Sequence, residues 1–193
     1  STHQCVEDMA IFRAVPNMTV ICPADANETR EAVKAIAQMK GPCYLRLNRN
    51  DYPNVTEEGA RFEIGVPRIL KHGTDVALFA AGYMTGVALE AAKELEGSIS
   101  VRVINVSTIK PMNKEVMRKM AEGCRAVVTA EEHNVAGGLG SAVAEALCED
   151  PLPMKMVGIK DTFGCSGHNY QEVLAYHGLT KEAVAEAVRA MAG

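Results

Sequence analysis

Residues 74–106 read TDVALFAAGYMTGVALEAAKELEGSISVRVINV, and this stretch decides the fold class. Its two ends, 74–82 and 99–106, are apolar runs that read as strands, whereas 86–95 carries small and apolar side chains at helical spacing. A strand, a helix and a second strand in this order predict a βαβ unit, whose two strands lie parallel in one sheet.

The same alternation continues to the end of the chain. We predict strands at 124–132 and 154–160, and helices at 113–121, 138–149, 170–178 and 180–192, with Asn113 as the cap of the first of these helices. Apolar strands that alternate with amphipathic helices predict a largely parallel sheet covered on both faces. We therefore expect a three-layer αβα fold in a complete α/β domain that covers residues 66–193.

The beginning of the chain shows an alternation of its own, which we predict as helix, strand, helix and strand. The second helix opens at Asp25–Glu28, which has the form of a capping box, and the second strand is predicted over 43–49. The side chains predicted to face inward from the two helices are Cys5, Met9, Phe12, Val33, Ile36 and Ala37. Because two strands make no stable sheet alone, residues 1–52 are expected to be part of a larger, truncated α/β domain, with the polar segment 53–65 as a linker.

Composition narrows the class of protein. Hydrophobic residues make up 48% and charged residues 23% of the 193 positions, and the formal net charge is −4, which argues against a nucleic-acid partner. We expect neither a signal peptide nor a membrane span, because no apolar run is long enough to cross a bilayer. The six scattered cysteines are predicted to be buried free thiols in a reducing compartment, so we expect a cytoplasmic protein: Cys5, Cys22, Cys43, Cys124, Cys148 and Cys165.

Two local motifs admit both a functional and a structural interpretation. The turn at Gly138-Leu-Gly140 follows a strand and opens a helix, but Val143 occupies the place of the third small residue of a dinucleotide fingerprint, so we interpret the glycines as a tightly packed turn. The run Glu131-Glu132-His133 ends a predicted strand, where ligands often bind. Neighbouring strand residues point to opposite faces, so polar loop or interface residues are the favoured interpretation over an acid–base or metal site.

Two further side chains suit a reaction on a phosphorylated substrate. His3 has an imidazole whose ordinary pKa of about 6.5 fits proton transfer at neutral pH. Arg49 ends the predicted strand 43–49, at the edge where ligands gather in α/β folds, and a guanidinium fits a phosphate group. Taken alone, either residue is also compatible with an idle position on the surface.

Several longer stretches resemble the transketolase family. Residues 2–28, THQCVEDMAIFRAVPNMTVICPADANE, are similar to the second half of its pyrimidine-binding domain, and GPCYLRLNR (41–49) is similar to the last strand of that domain. The stretches VRVINVSTIKP (101–111), TAEEHNVAGGLGSAVAEAL (129–147) and DTFGCSGHNYQEVLAYHGLT (161–180) resemble its C-terminal domain. The resemblance is greatest to transketolases that are split into an N- and a C-terminal polypeptide.

The resemblance implies a reaction and roles for two residues. Transketolases use thiamine diphosphate and a divalent metal, Mg²⁺, to move a two-carbon ketol unit between sugar phosphates of the pentose phosphate type. The histidine that matches His3 lies beside the oxygens of the donor sugar, and the arginine that matches Arg49 holds the terminal phosphate of the substrate. Residues 2–4 would complete an active-site loop whose acidic, glycine-containing first half is absent from this sequence.

The resemblance also implies what this chain lacks. The catalytic glutamate of the family and the aromatic residue that stacks on the cofactor belong to the upstream part of the pyrimidine domain, and the diphosphate and metal are held by the N-terminal polypeptide. We therefore expect no cofactor or metal on this chain alone, no activity without its partner, and a homodimer of the complete enzyme. Deoxyxylulose-phosphate synthases, the beta subunits of 2-oxoacid dehydrogenases, and a noncatalytic α/β module that binds an anion or a protein remain as alternatives.

Overall fold

The chain forms two sheets surrounded by helices, as a computed structural model that describes residues 4–193 shows. The helices are α1 (Asp8–Ala14), α2 (Ala26–Ile36), α3 (Met84–Glu94), α4 (Lys114–Ala121), α5 (Leu139–Leu147), α6 (Tyr170–Tyr176) and α7 (Lys181–Ala192). The strands are β1 (Thr19–Ile21), β2 (Cys43–Leu45), β3 (Arg68–Lys71), β4 (Val76–Ala80), β5 (Val101–Asn105), β6 (Thr108–Lys110), β7 (Ala126–Asn134) and β8 (Met154–Ile159). We call α1, β1, α2 and β2 the first unit.

The larger sheet has the order β3-β5-β4-β7-β8, with β4 at its centre. Strands β5, β4, β7 and β8 run parallel, and β3 pairs antiparallel at one edge. Helices α3 and α7 pack on one face, while α4 and α5 cover the other. The expected three-layer αβα fold with a mostly parallel sheet is confirmed.

The strand β4 shows why this sheet needs helices on both faces. Every residue from Val76 to Ala80 is buried. Leu78 belongs to the core under α3 and α7, whereas Phe79 belongs to the core under α4 and α5. Because successive strand residues point to opposite faces, an apolar run of this kind is stable only between two helical layers.

The smaller sheet joins the first unit to the rest of the chain. Its order is β2-β1-β6, so the two strands predicted from the first unit gain a third, β6, from the C-terminal part of the sequence. Strand β1 pairs parallel with β2 and antiparallel with β6. Met9 of α1 and Val20 of β1 share one buried core with Phe79 of the larger sheet, so an apolar core continues from the first unit into the larger sheet.

The structure departs from the predicted local structure at several points. The strands β3 and β6 were not predicted, because each is a short segment without clear alternation. The first helix begins at Asp8, beyond Cys5. In α2 the buried side chains belong to Glu28 and Ala32, whereas Val33 is 48% exposed and Ala37 is exposed, because that face of α2 is not covered by residues 4–193.

The cysteines are free, as predicted, but the prediction that they are all buried was wrong. Cys22 and Cys124 are buried, whereas Cys5 and Cys148 are exposed. Burial raises the pKa of the Cys22 thiol to about 11, so this side chain behaves as a small apolar group.

Candidate functional site

Of the two residues predicted to act on substrate, the structure describes only Arg49. His3 lies outside the described residues. Arg49 is exposed and lies in a turn beyond the end of β2 at Leu45, so the strand predicted over 43–49 is too long. The reason is that β2 is an edge strand paired only with β1, and the ladder ends where Ile21 of β1 pairs with Leu45.

A polar network lies where the first unit meets the larger sheet, next to the turn that carries Arg49. We call it the junction network and define it as Asp8, Tyr44, Arg46, Asn48, Glu132, His133 and Tyr170. Its members from β2 and the following turn, residues 44, 46 and 48, are spaced two apart, which places them on one side of an extended chain.

One half of the network centres on Asp8, at the beginning of α1. Its Oδ2 accepts hydrogen bonds from the hydroxyl of Tyr44 at 2.7 Å and from Nε of Arg46 at 2.8 Å, and the residue is only 4% exposed. Burial alone would lower the pKa of Arg46, but the acidic groups beside it, Asp8 and Glu132, raise that pKa, so the guanidinium stays charged. Asp8 and Arg46 thus form a nearly buried ion pair, and loss of either residue would leave the charge of the other without a partner.

His133 is a structural residue of this junction. Its Nε2 accepts a hydrogen bond from the backbone N–H of Met9 at 3.1 Å, so the proton of a neutral imidazole lies on Nδ1, which donates to the carbonyl of Asn134 at 2.6 Å. Burial lowers the pKa of His133, which favours this neutral form. With both ring nitrogens occupied and no exposed surface, His133 has no free position for a metal or a substrate proton.

Glu131 occupies the place where a dinucleotide phosphate would bind. Its carboxyl oxygens accept hydrogen bonds from the N–H groups of Leu139 at 2.6 Å and Gly140 at 2.8 Å, at the beginning of α5. A Cβ on Gly138 would overlap the Oε2 atom of this carboxyl group. The glycines therefore let the helix approach Glu131, and the interpretation of this turn as tight packing is confirmed.

The other half of the network links the turn after β2 to the C-terminal part of the chain. Nδ2 of Asn48 donates to Oε2 of Glu132 at 2.8 Å and to the hydroxyl of Tyr170 at 2.5 Å, and that hydroxyl donates to Oε1 of Glu132 at 2.8 Å. Burial raises the pKa of Glu132, although Arg46 and the bonds from Tyr170 and Asn48 oppose this shift. Glu132 and His133 are thus interface residues, but all three residues of the 131–133 run lie on β7 and not in a loop.

Sequence reasoning missed most of this network. The polar residues at alternate positions 44, 46 and 48 were a usable signal, because an edge strand with one polar side must face either solvent or a polar partner. No comparable signal marked Asp8, which reads as an ordinary acidic residue in the first turn of a helix.

Residues 4–193 contain no cluster of side chains for a metal, and the glycine-rich turn before α5 is not free to bind a phosphate group. No group of three or more His, Cys, Asp and Glu side chains within residues 4–193 could hold a metal ion. The amides at the beginning of α5 are bound by Glu131. In the same part of the chain, no helix has the length and apolar character needed to cross a membrane.

Comparison with family models divides the chain in two. Residues 1–55 match the transketolase pyrimidine binding domain, and residues 65–184 match the transketolase C-terminal domain. These are the two domains whose motifs the sequence resembled, in the same order.

Several curated relatives match nearly the whole of this chain. A Methanocaldococcus jannaschii protein described as a transketolase C-terminal section is 42% identical over 97% of this chain and 60% of its own length. One of the subunits of the apulose-4-phosphate transketolase of Phocaeicola vulgatus is 38% identical over 95% of this chain and 59% of its own. A 1-deoxy-D-xylulose-5-phosphate synthase of Thioalkalivibrio sulfidiphilus is 35% identical over 98% of this chain, but only 29% of that protein is covered.

A solved structure confirms the fold along nearly the whole chain. It is a split gene transketolase in the form of an inactive beta4 tetramer, which superposes with a TM-score of 0.93 at 46% sequence identity over 98% of this chain and 62% of its own. This chain thus spans about three fifths of the length of the split-type relatives compared above. The fold, the two matched domains and these relatives together show that the chain belongs to the transketolase family and corresponds to its C-terminal section.

Proposed function

We propose that this chain is the C-terminal part of an enzyme that transfers a two-carbon ketol unit between sugar phosphates with thiamine diphosphate. The observation that carries the proposal is the match to a split gene transketolase over 98% of the chain, at 46% sequence identity. The name of one relative, a subunit of an apulose-4-phosphate transketolase, refers to a phosphorylated sugar and to a divided enzyme, which supports both the substrate class and the division.

The proposed division of labour follows the two matched domains. Residues 1–52 would complete the pyrimidine-binding domain, 53–65 would link it onward, and 66–193 would form the C-terminal domain. An N-terminal subunit or section would supply the rest of the active site, and we propose a cytoplasmic enzyme that is a homodimer of complete units.

Thiamine diphosphate supplies the carbanion chemistry in this proposal, and the N-terminal partner would hold its diphosphate and Mg²⁺. Among the described residues, Glu131 occupies the start of α5 at its glycine-rich turn, and no group of side chains suits a metal. Neither group is therefore assigned to residues of this chain.

Two residues of this chain are proposed to act on the substrate. Arg49 would hold the terminal phosphate, and its exposed position beyond β2 leaves the guanidinium accessible to such a group. Binding the remote phosphate would help to place the substrate against the cofactor. His3 would hydrogen-bond to the oxygens of the donor sugar and exchange a proton with them.

A deoxyxylulose-phosphate synthase is the second candidate, because proteins with that name match nearly the whole chain. Formation of 1-deoxy-D-xylulose 5-phosphate by the reconstituted enzyme would support the second candidate, whereas transfer of a two-carbon unit from a ketose phosphate would support the first.

Kinetics of the enzyme reconstituted with its N-terminal partner test the residue roles. We expect His3→Ala to lower kcat by about a hundredfold, since general acid–base groups contribute roughly 10²–10⁴. Arg49→Ala should mainly raise the KM for phosphorylated substrates. Equal activity of Arg49→Ala and the parent protein toward phosphorylated and unphosphorylated sugars would contradict the phosphate assignment.

A further inference from the structure

The turn that carries Arg49 is closed by the side chain that precedes it. Oδ1 of Asn48 accepts a hydrogen bond from the backbone N–H of Asn50 at 2.9 Å. This bond spans Arg49 and makes an Asx turn, in which an asparagine side chain takes the place of a backbone turn. The backbone direction at Arg49 therefore depends on the orientation of the Asn48 side chain.

The orientation of Asn48 is in turn fixed by the C-terminal part of the chain. The two hydrogens of its amide go to Oε2 of Glu132 at 2.8 Å and to the hydroxyl of Tyr170 at 2.5 Å. Because a tyrosine hydroxyl has a single hydrogen, and Tyr170 donates it to Oε1 of Glu132 at 2.8 Å, it can only accept from Asn48. The three side chains form a closed ring of hydrogen bonds in which each donor has an acceptor.

Aromatic contacts hold the other end of the same segment. The ring of Tyr52 packs edge-on against Tyr83 with centroids 5.3 Å apart, and Tyr83 packs edge-on against Tyr170 at 5.5 Å. Such contacts contribute about 0.5–1.5 kcal/mol each beyond their buried area. The segment from Asn48 to Tyr52 is thus attached at both ends to residues of the C-terminal part, with Arg49 between them.

We propose that Asn48 is a positioning residue for Arg49, and that Glu132 and Tyr170 act through it to orient the phosphate-binding side chain. This inference rests on the proposed role of Arg49. It gives the C-terminal domain a part in substrate recognition, because Glu132 and Tyr170 of that domain, acting through Asn48, would set the direction from which Arg49 reaches the phosphate. An orientation fixed before binding avoids the cost of ordering the turn when the substrate arrives.

Steady-state kinetics of the reconstituted enzyme test the proposal through phosphate selectivity. Tyr170→Phe and Asn48→Ala should each raise the KM for a phosphorylated acceptor about tenfold, change kcat less than about twofold, and leave the KM for the unphosphorylated sugar unchanged. Tyr176→Phe, a change at an exposed tyrosine of the same helix, is the matched control and should resemble the parent.

The Arg49→Ala background separates positioning from a merely structural role. Adding Asn48→Ala to Arg49→Ala should cause no further rise in KM, because residues that act as a unit are not additive. Additive effects, or equal losses toward both kinds of acceptor, would overturn the proposal. If Arg49→Ala alone left phosphate selectivity intact, the proposed function of Arg49 would fail and the positioning role would fail with it.

Tryptic cleavage of the chain by itself tests the turn without any activity. Because proteolysis of a folded segment tracks its local opening, we expect Asn48→Ala and Tyr170→Phe to speed tryptic cleavage of the 49–50 bond about tenfold. The bond after the exposed residue Lys40 should be cut at the parent rate in both variants. An unchanged rate at the 49–50 bond would refute the positioning role even in an enzyme whose substrates are wrongly assigned.

Discussion

Replacement of Asp25 tests how the first unit is attached to the segment that follows it. The Asp25 side chain is 1% exposed, and its carboxylate accepts hydrogen bonds from the N–H groups of Glu28 at 2.9 Å, Val55 at 2.6 Å and Thr56 at 2.6 Å, and from the hydroxyl of Thr56 at 2.7 Å. The first bond caps α2, and the other three hold residues 55 and 56 against that helix start.

The magnitude follows from those four bonds. A helix cap contributes about 1 kcal/mol, and a hydrogen bond to a charged group about 1.5–3 kcal/mol. Water reaches part of the vacated site and the bonds are not additive, so we expect Asp25→Ala to lower the free energy of unfolding by about 3–5 kcal/mol. Asp25→Asn should lose about half as much, because its amide nitrogen must face two donors in either orientation.

The pH dependence of this effect has a definite sign. Burial alone would raise the pKa of Asp25, but the hydrogen bonds from Glu28, Thr56 and Val55 outweigh it and lower that pKa below its usual value. A lowered pKa stabilises the folded chain above the ordinary carboxyl range, and this contribution is lost as the pH falls through the folded-state pKa. The difference between the parent and Asp25→Ala should therefore be full at pH 7 and shrink below about pH 3.8.

Urea unfolding followed by far-ultraviolet circular dichroism, at one protein concentration, measures these differences. Asn113→Ala is the matched control, because Asn113 caps α4 through the N–H groups of Glu115 and Val116 but is exposed and has no further partners of this kind. The control should lose about 1 kcal/mol. If Asp25→Ala lost no more than Asn113→Ala, the three bonds to residues 55 and 56 would contribute nothing and the reasoning would be refuted.

Three other outcomes follow from the structure. Gly138→Ala should lower the free energy of unfolding by more than about 3 kcal/mol, because its Cβ would meet the carboxyl group of Glu131. Gly86→Ala in α3, whose Cβ would make ordinary contacts only, should be neutral or stabilising. Equal effects of the two changes in urea unfolding would contradict this prediction. Burial raises the pKa of Glu131 to about 8, so the contribution of Glu131 to stability falls as the pH rises from about 4.5 to 8. Glu131→Gln should therefore flatten the pH dependence of the free energy of unfolding in that window. An unchanged slope would contradict the raised pKa of Glu131. A thiol reagent at pH 8 should modify the exposed Cys148 at least about a hundredfold faster than the buried Cys22, and similar rates by peptide mass spectrometry would show that the core opens readily.

The parallel strands of the larger sheet and the helices that cover it could be predicted because their signals are local. Strand β4 is an apolar run, and helix α4 has its Asn113 cap and its apolar stripe within a few residues. The antiparallel edge strand β3 and the bridging strand β6 could not be predicted, because each is defined by a partner far away in the sequence.

The same difference between local signals and distant partners applies to the candidate site. Family motifs marked His3 and Arg49 directly, but nothing near Asn48 in the sequence indicates that its amide meets Glu132 and Tyr170 across the junction. The exposed Val33 on α2 could not be anticipated either, since helical periodicity shows which side chains share a face and not whether anything covers that face.

We propose that this chain is one part of a divided ketol transferase. The most direct test mixes the chain with the proposed N-terminal partner, thiamine diphosphate and Mg²⁺, and follows exchange between ketose phosphate donors and aldose phosphate acceptors by mass spectrometry. We predict a two-carbon transfer that requires both polypeptides and the cofactor. Transfer by this chain alone, or no transfer by a complex that forms and binds the cofactor, would contradict the claim.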